Sequence, residues 1–580
     1  MSDIKPASTA QDDVYTHWLS RDPDPKTREE LRSLIESNNT EQLNSRFLSR
    51  LEFGTAGLRG TVGAGPNRMN RLVIQETSAG LGQYLLTAQE NAKERGVIIG
   101  YDGRPDSRQF AHDAASTLTA QGFRVYLTHD VAATPIVGFG VLHLNTAAGI
   151  VVTASHNPPE YNGFKVYWSN GAQIIPPHDA GIAKQIDIAA VNPLKTLSLE
   201  EAEKHGLLIW LKEDFYTKYR KALGESPLIS NAEIDGSQMG IAYTAMHGVG
   251  ARMAKELLRD AGFTKVYSVK AQQEPDGSFP TVNFPNPEEP GAMDLVIAEA
   301  TKNHCEIAIA NDPDADRMAA AARKRDGSYQ MLTGDQVGIL LADYLMGLKA
   351  GNPCLVGATI VSSSMLEKLA AANGAEYYET LTGFKWLTNV AMGKESVDLP
   401  FLFAYEEALG YTIGTTVRDK DGLSALVIFA QMAAQLAARG LTVWDRLSDL
   451  YRCHGFYYTA QQNIALTPET PNIGESLRRN LPKEIAGRSV LSVDDLKEGV
   501  RHFADGSNED IALPPSDVLT FRLAKGARIV VRPSGTEPKI KCYYEVVVDM
   551  NTSDGFAETE AFARSEMDSL IQEHQASLPK

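Results

Sequence analysis

The stretch Gly96–Thr153, GVIIGYDGRPDSRQFAHDAASTLTAQGFRVYLTHDVAATPIVGFGVLHLNTAAGIVVT, decides the fold class. Val97-Ile98-Ile99-Gly100-Tyr101 is a short apolar strand. Ser107 then stands where it can cap a helix running to Gly122, the position where a C-terminal glycine belongs. Phe123–Leu127 follows as a strand, Pro135–Leu144 as a helix and Gly149–Thr153 as a third strand. Strands that alternate with helices predict a parallel, doubly wound sheet covered on both faces.

The same order recurs downstream. A strand at Met239–Tyr243, a helix at Ala251–Ala261 and a strand at Ile307–Ala310 form a second block. Strands at Cys354–Ile360, Glu376–Glu379 and Phe401–Ala404, with helices between, form a third. After about Phe456 the texture changes to the strands Val518–Leu523, Arg528–Val531 and Lys539–Val548, closed by a polar helix from Gly555 to about His574. The expected architecture is three similar doubly wound α/β domains plus a C-terminal α+β domain. We place the boundaries at 1–225, 226–340, 341–460 and 461–580. The charged stretch Asp22–Leu43 is read as a helical extension on the first domain.

The chain has 580 residues, more than one core supports. Acids outnumber bases, 73 against 56, for a formal charge of -17, which speaks against broad nucleic-acid binding but not against a small anionic substrate. Four scattered cysteines form no C-x-x-C pair, which fits a reducing compartment and argues against a disulfide framework or thiolate zinc. Residues 1–18 show no apolar leader core, and the apolar run Leu423–Leu441 is interrupted by Ser424, Gln431, Gln435 and Arg439, so it reads as a helix buried in protein. A cytoplasmic enzyme without nucleic-acid or membrane partners, a monomer or small homo-oligomer, is the expectation. A Walker P-loop and a complete G-x-G-x-x-G are both missing; Gly248-Val249-Gly250 opens a helix but lacks the third glycine.

Four loops carry chemistry. Thr153-Ala154-Ser155-His156-Asn157-Pro158 follows an apolar strand, at the carboxyl end where open parallel sheets bind ligands, so Ser155 is a candidate nucleophile. The bland reading is a strand-ending turn, and for a bare Ser-His pair that reading is the commoner one. Lys165 could add a cation or be a solvated lysine. In Asn311-Asp312-Pro313-Asp314-Ala315-Asp316-Arg317 three alternating carboxylates can converge, and their repulsion asks for a hard divalent cation. An EF-hand would need Gly and Glu where Arg317 and Arg323 stand. The third loop, Ala404–Tyr411, holds Glu406 and Glu407, which point apart if the chain is extended, and Arg418 and Lys420 follow before a helix. The fourth, Arg532-Pro533-Ser534-Gly535-Thr536-Glu537-Pro538-Lys539, offers a guanidinium fork, two hydroxyls and a glycine, which suit a phosphate cradle or a plain β-turn.

Together, from about Arg50 to Val548, these loops resemble the α-D-phosphohexomutase superfamily of phosphoglucomutases and phosphomannomutases, and Gly54-Thr55-Ala56-Gly57-Leu58-Arg59-Gly60 matches its N-terminal motif. The resemblance implies four domains around a central cleft. It implies that Ser155 is the phosphoserine and that Asp312, Asp314 and Asp316 hold Mg²⁺ with it. Arg59, His156 and Lys165 would line the reaction centre, and Lys420 would be an acid/base candidate. Thr382, Gly383, Glu406, Glu407 and Arg418 would meet the sugar, and Arg532, Ser534, Gly535 and Thr536 would grip the non-reacting phosphate. The implied reaction interconverts sugar 1-phosphate and sugar 6-phosphate through a sugar 1,6-bisphosphate, with glucose as first choice. One departure stands out: the family's G-E-x-S reads Tyr405-Glu406-Glu407-Ala408 here, without the serine hydroxyl. That form looks closer to phosphopentomutase-type and bisphosphate-forming members, so pentose, mannose and bisphosphate-synthase readings stay open. A sugar-phosphate-binding regulator without activity is the remote alternative.

Overall fold

In a computed structural model, residues 10–55, 57–229, 234–465, 473–533 and 539–578 are described. Two compact units emerge, Met1–Ala321 with Gly410–Ala434, and Ala322–Leu409 with Gln435–Lys580.

The first unit contains a six-stranded sheet of β1 (Leu58–Thr61), β2 (Val97–Tyr101), β3 (Val125–Thr128), β4 (Ala148–Val152), β5 (Tyr161–Trp168) and β6 (Leu208–Leu211), in the order β1-β5-β4-β2-β3-β6. Strands β2, β3, β4 and β6 are parallel. Every residue of β2 and β4 is buried, as expected of strands covered on both faces. The sheet departs from the all-parallel expectation at one edge, where β5 runs antiparallel to β4 and β1 antiparallel to β5. The cause is chain length. Only the Thr153–Glu160 loop separates β4 from β5, too short for a crossover helix, so the chain can only turn back. That return places Lys165 on a buried strand, 6% exposed, rather than in solvent.

A second parallel set, β7 (Gly240–Thr244), β8 (Lys265–Ser268) and β9 (Ile307–Asn311), repeats the design. Ser107 is not the expected cap. It occupies the first helical position of Ser107–Ala120, and its hydroxyl donates to Asp102 Oδ1 at 2.5 Å. The N-terminal extension consists of the helices Ala10–Arg21, Pro25–Glu36 and Thr40–Phe47. Arg21 Nη1 reaches Glu76 Oε1 at 2.9 Å and Arg50 pairs with the same carboxylate, which lies fully buried in the helix Arg71–Ala88, so the extension is pinned at charged points.

In the second unit, Leu355–Thr359 pairs in parallel with Glu376–Thr380 and Phe401–Glu406. The C-terminal part is antiparallel: Phe456–Ala465 on Lys539–Val548, then Arg528–Pro533, Leu519–Leu523 and Arg488–Asp495. The helix Phe556–Ser577 closes it, with Tyr544 Oη 2.8 Å from His574 Nδ1 and Phe456 against Phe556. Among the described residues no single helix is long and apolar enough to cross a membrane.

Candidate functional site

Ser155 follows the carboxyl end of β4 and has φ +51°, a left-handed conformation that turns its hydroxyl out of the strand line. Its amide donates to Thr153 Oγ1 at 2.8 Å. The loop is held by one buried side chain that sequence reasoning missed. Arg104 donates to the carbonyls of Ser155 (2.8 Å), Asn157 (2.6 Å), Pro158 (2.7 Å) and Tyr161 (2.9 Å), and Asp102 balances its charge at 3.3 Å. The signal was its place, Asp102-Gly103-Arg104 directly after β2. Gly57, at φ +76°, explains part of the N-terminal motif: a Cβ there would sit 1.9 Å from the carbonyl oxygen of Phe164, so only glycine lets this loop lie on β5. Two residues on, Arg59 reaches the serine loop through Asn157 Oδ1 at 2.8 Å.

The three aspartates follow β9 in the same way. Asp312, Asp314 and Asp316 are buried, and one oxygen of each lies within 4.8 Å of the others. Asn311 closes the loop by donating to the Arg317 carbonyl at 2.7 Å, and Ala315 takes φ +57° so that the chain can curl. Ser155 Oγ donates to Asp312 Oδ2 at 2.9 Å and lies 3.2 Å from His156 Nδ1. Lys165 Nζ bridges Asp314 Oδ2 (2.6 Å) and Asp316 Oδ2 (2.8 Å), and Lys420 Nζ stands 3.3 Å from Asp316. Thr134, which no sequence signal marked, donates to Asp314 Oδ2 at 2.6 Å. Asp419 accepts from Tyr167 Oη (2.6 Å) and Gln173 Nε2 (2.7 Å), which fixes the backbone beside Lys420; Arg418 stands half-buried two residues before it.

The donor set fits a hard divalent cation. Asp314 Oδ1 and Asp316 Oδ1 are buried with no hydrogen-bond partner among the described residues, an arrangement a cation among three carboxylates would satisfy. Electrostatics agree. Burial, then Asp314 and Asp316, push the Asp312 carboxyl well up. Burial also acts to raise Asp314 and Asp316, but their lysine partners outweigh it and hold both below the ordinary range. For Lys165, burial pulls the ammonium down while Asp314 and Asp316 pull it up, and the carboxylates win. Lys165 therefore remains an ammonium. Burial, Arg317 and Arg59 depress His156, which is therefore neutral at neutral pH.

The second unit gathers the other candidates. Gly383 N donates to Glu406 Oε1 at 2.6 Å, and Arg532 binds Thr382 Oγ1. Glu407 turns the other way, accepting from Ser362 Oγ at 3.0 Å, and burial followed by Glu406 raises its carboxyl to about 8. The two glutamates thus diverge, although the segment is extended only as far as Glu406 and Glu407 begins a turn. Ser362, unmarked by sequence, holds Glu407. Ser534, Gly535 and Thr536 lie outside the described residues.

Arg104 yields a direct expectation. Arg104→Lys retains the charge beside Asp102 but cannot span four carbonyls, and a misplacement near 1 Å costs roughly 100-fold in rate. Turnover should fall about that much with little change in KM, and a kcat within threefold of the parent enzyme would show that the clamp is unnecessary.

Family models described as phosphoglucomutase/phosphomannomutase α/β/α domain I match residues 50–191, domain II 217–327, domain III 333–453 and the C-terminal domain 487–561. A human phosphopentomutase is 36% identical, covering 97% of this chain and 95% of its own. A Saccharomyces cerevisiae phosphoribomutase is 35% identical, covering 92% of each. A solved phosphoglucomutase/phosphomannomutase family protein from Burkholderia thailandensis, 21% identical, superposes with a TM-score of 0.65 over 91% of this chain and 99% of that one, a likeness of fold.

Proposed function

The chain belongs to the phosphoglucomutase/phosphomannomutase family, and we propose that within it this protein interconverts a pentose 1-phosphate and its 5-phosphate through phosphorylated Ser155. The observation that carries the phosphoserine reading is the 2.9 Å hydrogen bond from Ser155 Oγ to Asp312, inside a cluster of three buried carboxylates, the buried Lys165 and the half-buried Lys420. The pentose preference rests on the names of the relatives and on Ala408, which has no hydroxyl for a hexose ring. It moves glucose, the first choice from the motifs, to second place.

In the proposed reaction a hydroxyl oxygen of the sugar attacks the phosphorus on Ser155. The Oγ–P bond breaks, and the departing Ser155 Oγ takes a proton from water to end as the hydroxyl that donates to Asp312. Lys420, in its neutral form, takes the proton of the attacking hydroxyl; in the second half-reaction it returns that proton to the departing sugar oxygen, while Ser155 Oγ gives its own proton to water as it attacks the other phosphoryl group. Lys165 stays charged and holds Asp314 and Asp316 in place. Asp312, Asp314 and Asp316 would hold Mg²⁺, which when bound supplies charge neutralisation for the transferring phosphoryl oxygens. Glu406, Gly383 and Thr382 would meet the sugar, with Arg532 and the loop after it on the non-reacting phosphate.

A coupled assay tests this. Purified protein with Mg²⁺ and a trace of glucose 1,6-bisphosphate is given ribose, deoxyribose, glucose and mannose 1-phosphates in parallel. A pentose 1-phosphate should exceed the hexoses by about tenfold or more in kcat/KM, a margin equal to ~1.4 kcal/mol in transition-state binding. Preference for glucose would restore the phosphoglucomutase reading, and accumulation of free bisphosphate would make the protein a synthase.

A further inference from the structure

A cavity of about 880 Å³ lies in the first unit, formed without any residue of the Ser155–Asp312 cluster. Its volume is that of a small-molecule site, roughly 300–1,000 Å³. Its body is apolar and partly aromatic: Ile136 and Tyr216 line one side, and Met253, Phe263 and Val266 the other. Along its rim Arg252, Lys255 and Arg259 fall on one face of the helix Ala251–Asp260, at the spacing that stacks side chains over successive turns.

Arg252 is already paired with Glu213 and Glu256. Lys255 meets only the neutral Gln273, at 3.3 Å, and Arg259 comes no nearer than 3.9 Å to Asp260 among the described residues. Acids line the cavity too. Glu256 is engaged by Arg220 at 2.6 Å and Glu274 accepts from Gln273 at 3.0 Å, while Asp130 adds a third carboxylate. The one place for an anionic head is therefore the Lys255–Arg259 pair, with the apolar body inward.

We propose that this cavity is a second ligand site, for an organic anion with a flat apolar body, and that its occupancy alters turnover. The walls touch the loops that carry the reaction. Val249 lines the cavity and donates to the Pro313 carbonyl at 2.8 Å, inside the aspartate loop. Ala133 and Ile136 line it, and Thr134 between them holds Asp314 by side chain (2.6 Å) and amide (2.9 Å). Pro275 lines it and packs on Gly103; four residues on, the Phe279 ring lies 5.1 Å from the Arg104 guanidinium that clamps the serine loop. A ligand that shifts these walls acts on groups that position both Ser155 and Asp314, which is what an allosteric coupling requires.

The probe is 1-naphthyl phosphate, titrated by calorimetry into the full chain with and without saturating glucose 1,6-bisphosphate. Binding should be one per chain, should persist with bisphosphate present, and should weaken at least tenfold in the surface double variant K255A/R259A. Its 1-naphthol counterpart, without the anion, should bind at least tenfold more weakly. The double variant should keep basal turnover within twofold, and a saturating probe should change kcat by twofold or more in the parent chain alone. Ile136→Trp, which fills the cavity, is a second block. The proposal fails if binding is absent, if bisphosphate displaces the probe, if the double variant or naphthol binds equally well, or if kcat does not respond.

Discussion

Ser155→Ala should lose turnover by at least about 10⁴-fold, the scale of removing a group that itself forms the covalent intermediate. The loss is chemical and not structural. Ser155 contributes one hydrogen bond to Asp312 and one contact to His156, so its removal should cost only ~1 kcal/mol of stability, and the melting temperature should move by a few degrees at most. The loop geometry survives because Arg104 grips carbonyl oxygens, which alanine retains. Incubation with glucose 1,6-bisphosphate, followed by peptide mass analysis, should find one phosphoryl group on Ser155 in the parent protein and none in the variant. Turnover within tenfold of the parent, or a phosphoryl group on another residue, would remove Ser155 from the mechanism.

The parts of this site legible in the sequence were those in which local order and chemistry coincide. An apolar strand that ends in Thr-Ala-Ser-His, or in Asn-Asp-Pro-Asp-Ala-Asp, announces a loop at the carboxyl edge of a parallel sheet, and Ser155 and the three aspartates do converge there. Lys165 was legible as a cation but not as a buried one, because its burial depends on β5 turning back and on carboxylates 149 and 151 residues away. The upward shift of its ammonium has the same origin, since a lone buried lysine would shift down. Arg104, Thr134 and Ser362 act through hydrogen bonds across at least 51, 180 and 45 residues, and such separations leave no periodic trace in the chain. The divergence of Glu406 and Glu407, in contrast, is local: Glu406 ends the strand Phe401–Glu406 and Glu407 begins the turn that follows.

Removing the metal, or the charge that would hold it, should be the other large effect. Three buried carboxylates so close together repel one another, and even with Lys165 and Lys420 in place Asp314 Oδ1 and Asp316 Oδ1 have no hydrogen-bond partner among the described residues. A cation bound there stabilises the folded chain by mass action, about 2.7 kcal/mol at a concentration 100 times its Kd. The parent protein should therefore melt several degrees higher in Mg²⁺ than in EDTA. Asp316→Asn keeps the side-chain shape but withdraws one charge from the set. Its melting temperature should lose most of the response to Mg²⁺, and its kcat should drop about 1,000-fold, equivalent to ~4 kcal/mol of transition-state stabilisation. Melting and activity must move together in this test. A variant that retains the Mg²⁺ response yet loses activity would reassign Asp316 to orienting Lys165 and Lys420, and a parent protein indifferent to EDTA in both measurements would detach the cluster from any cation.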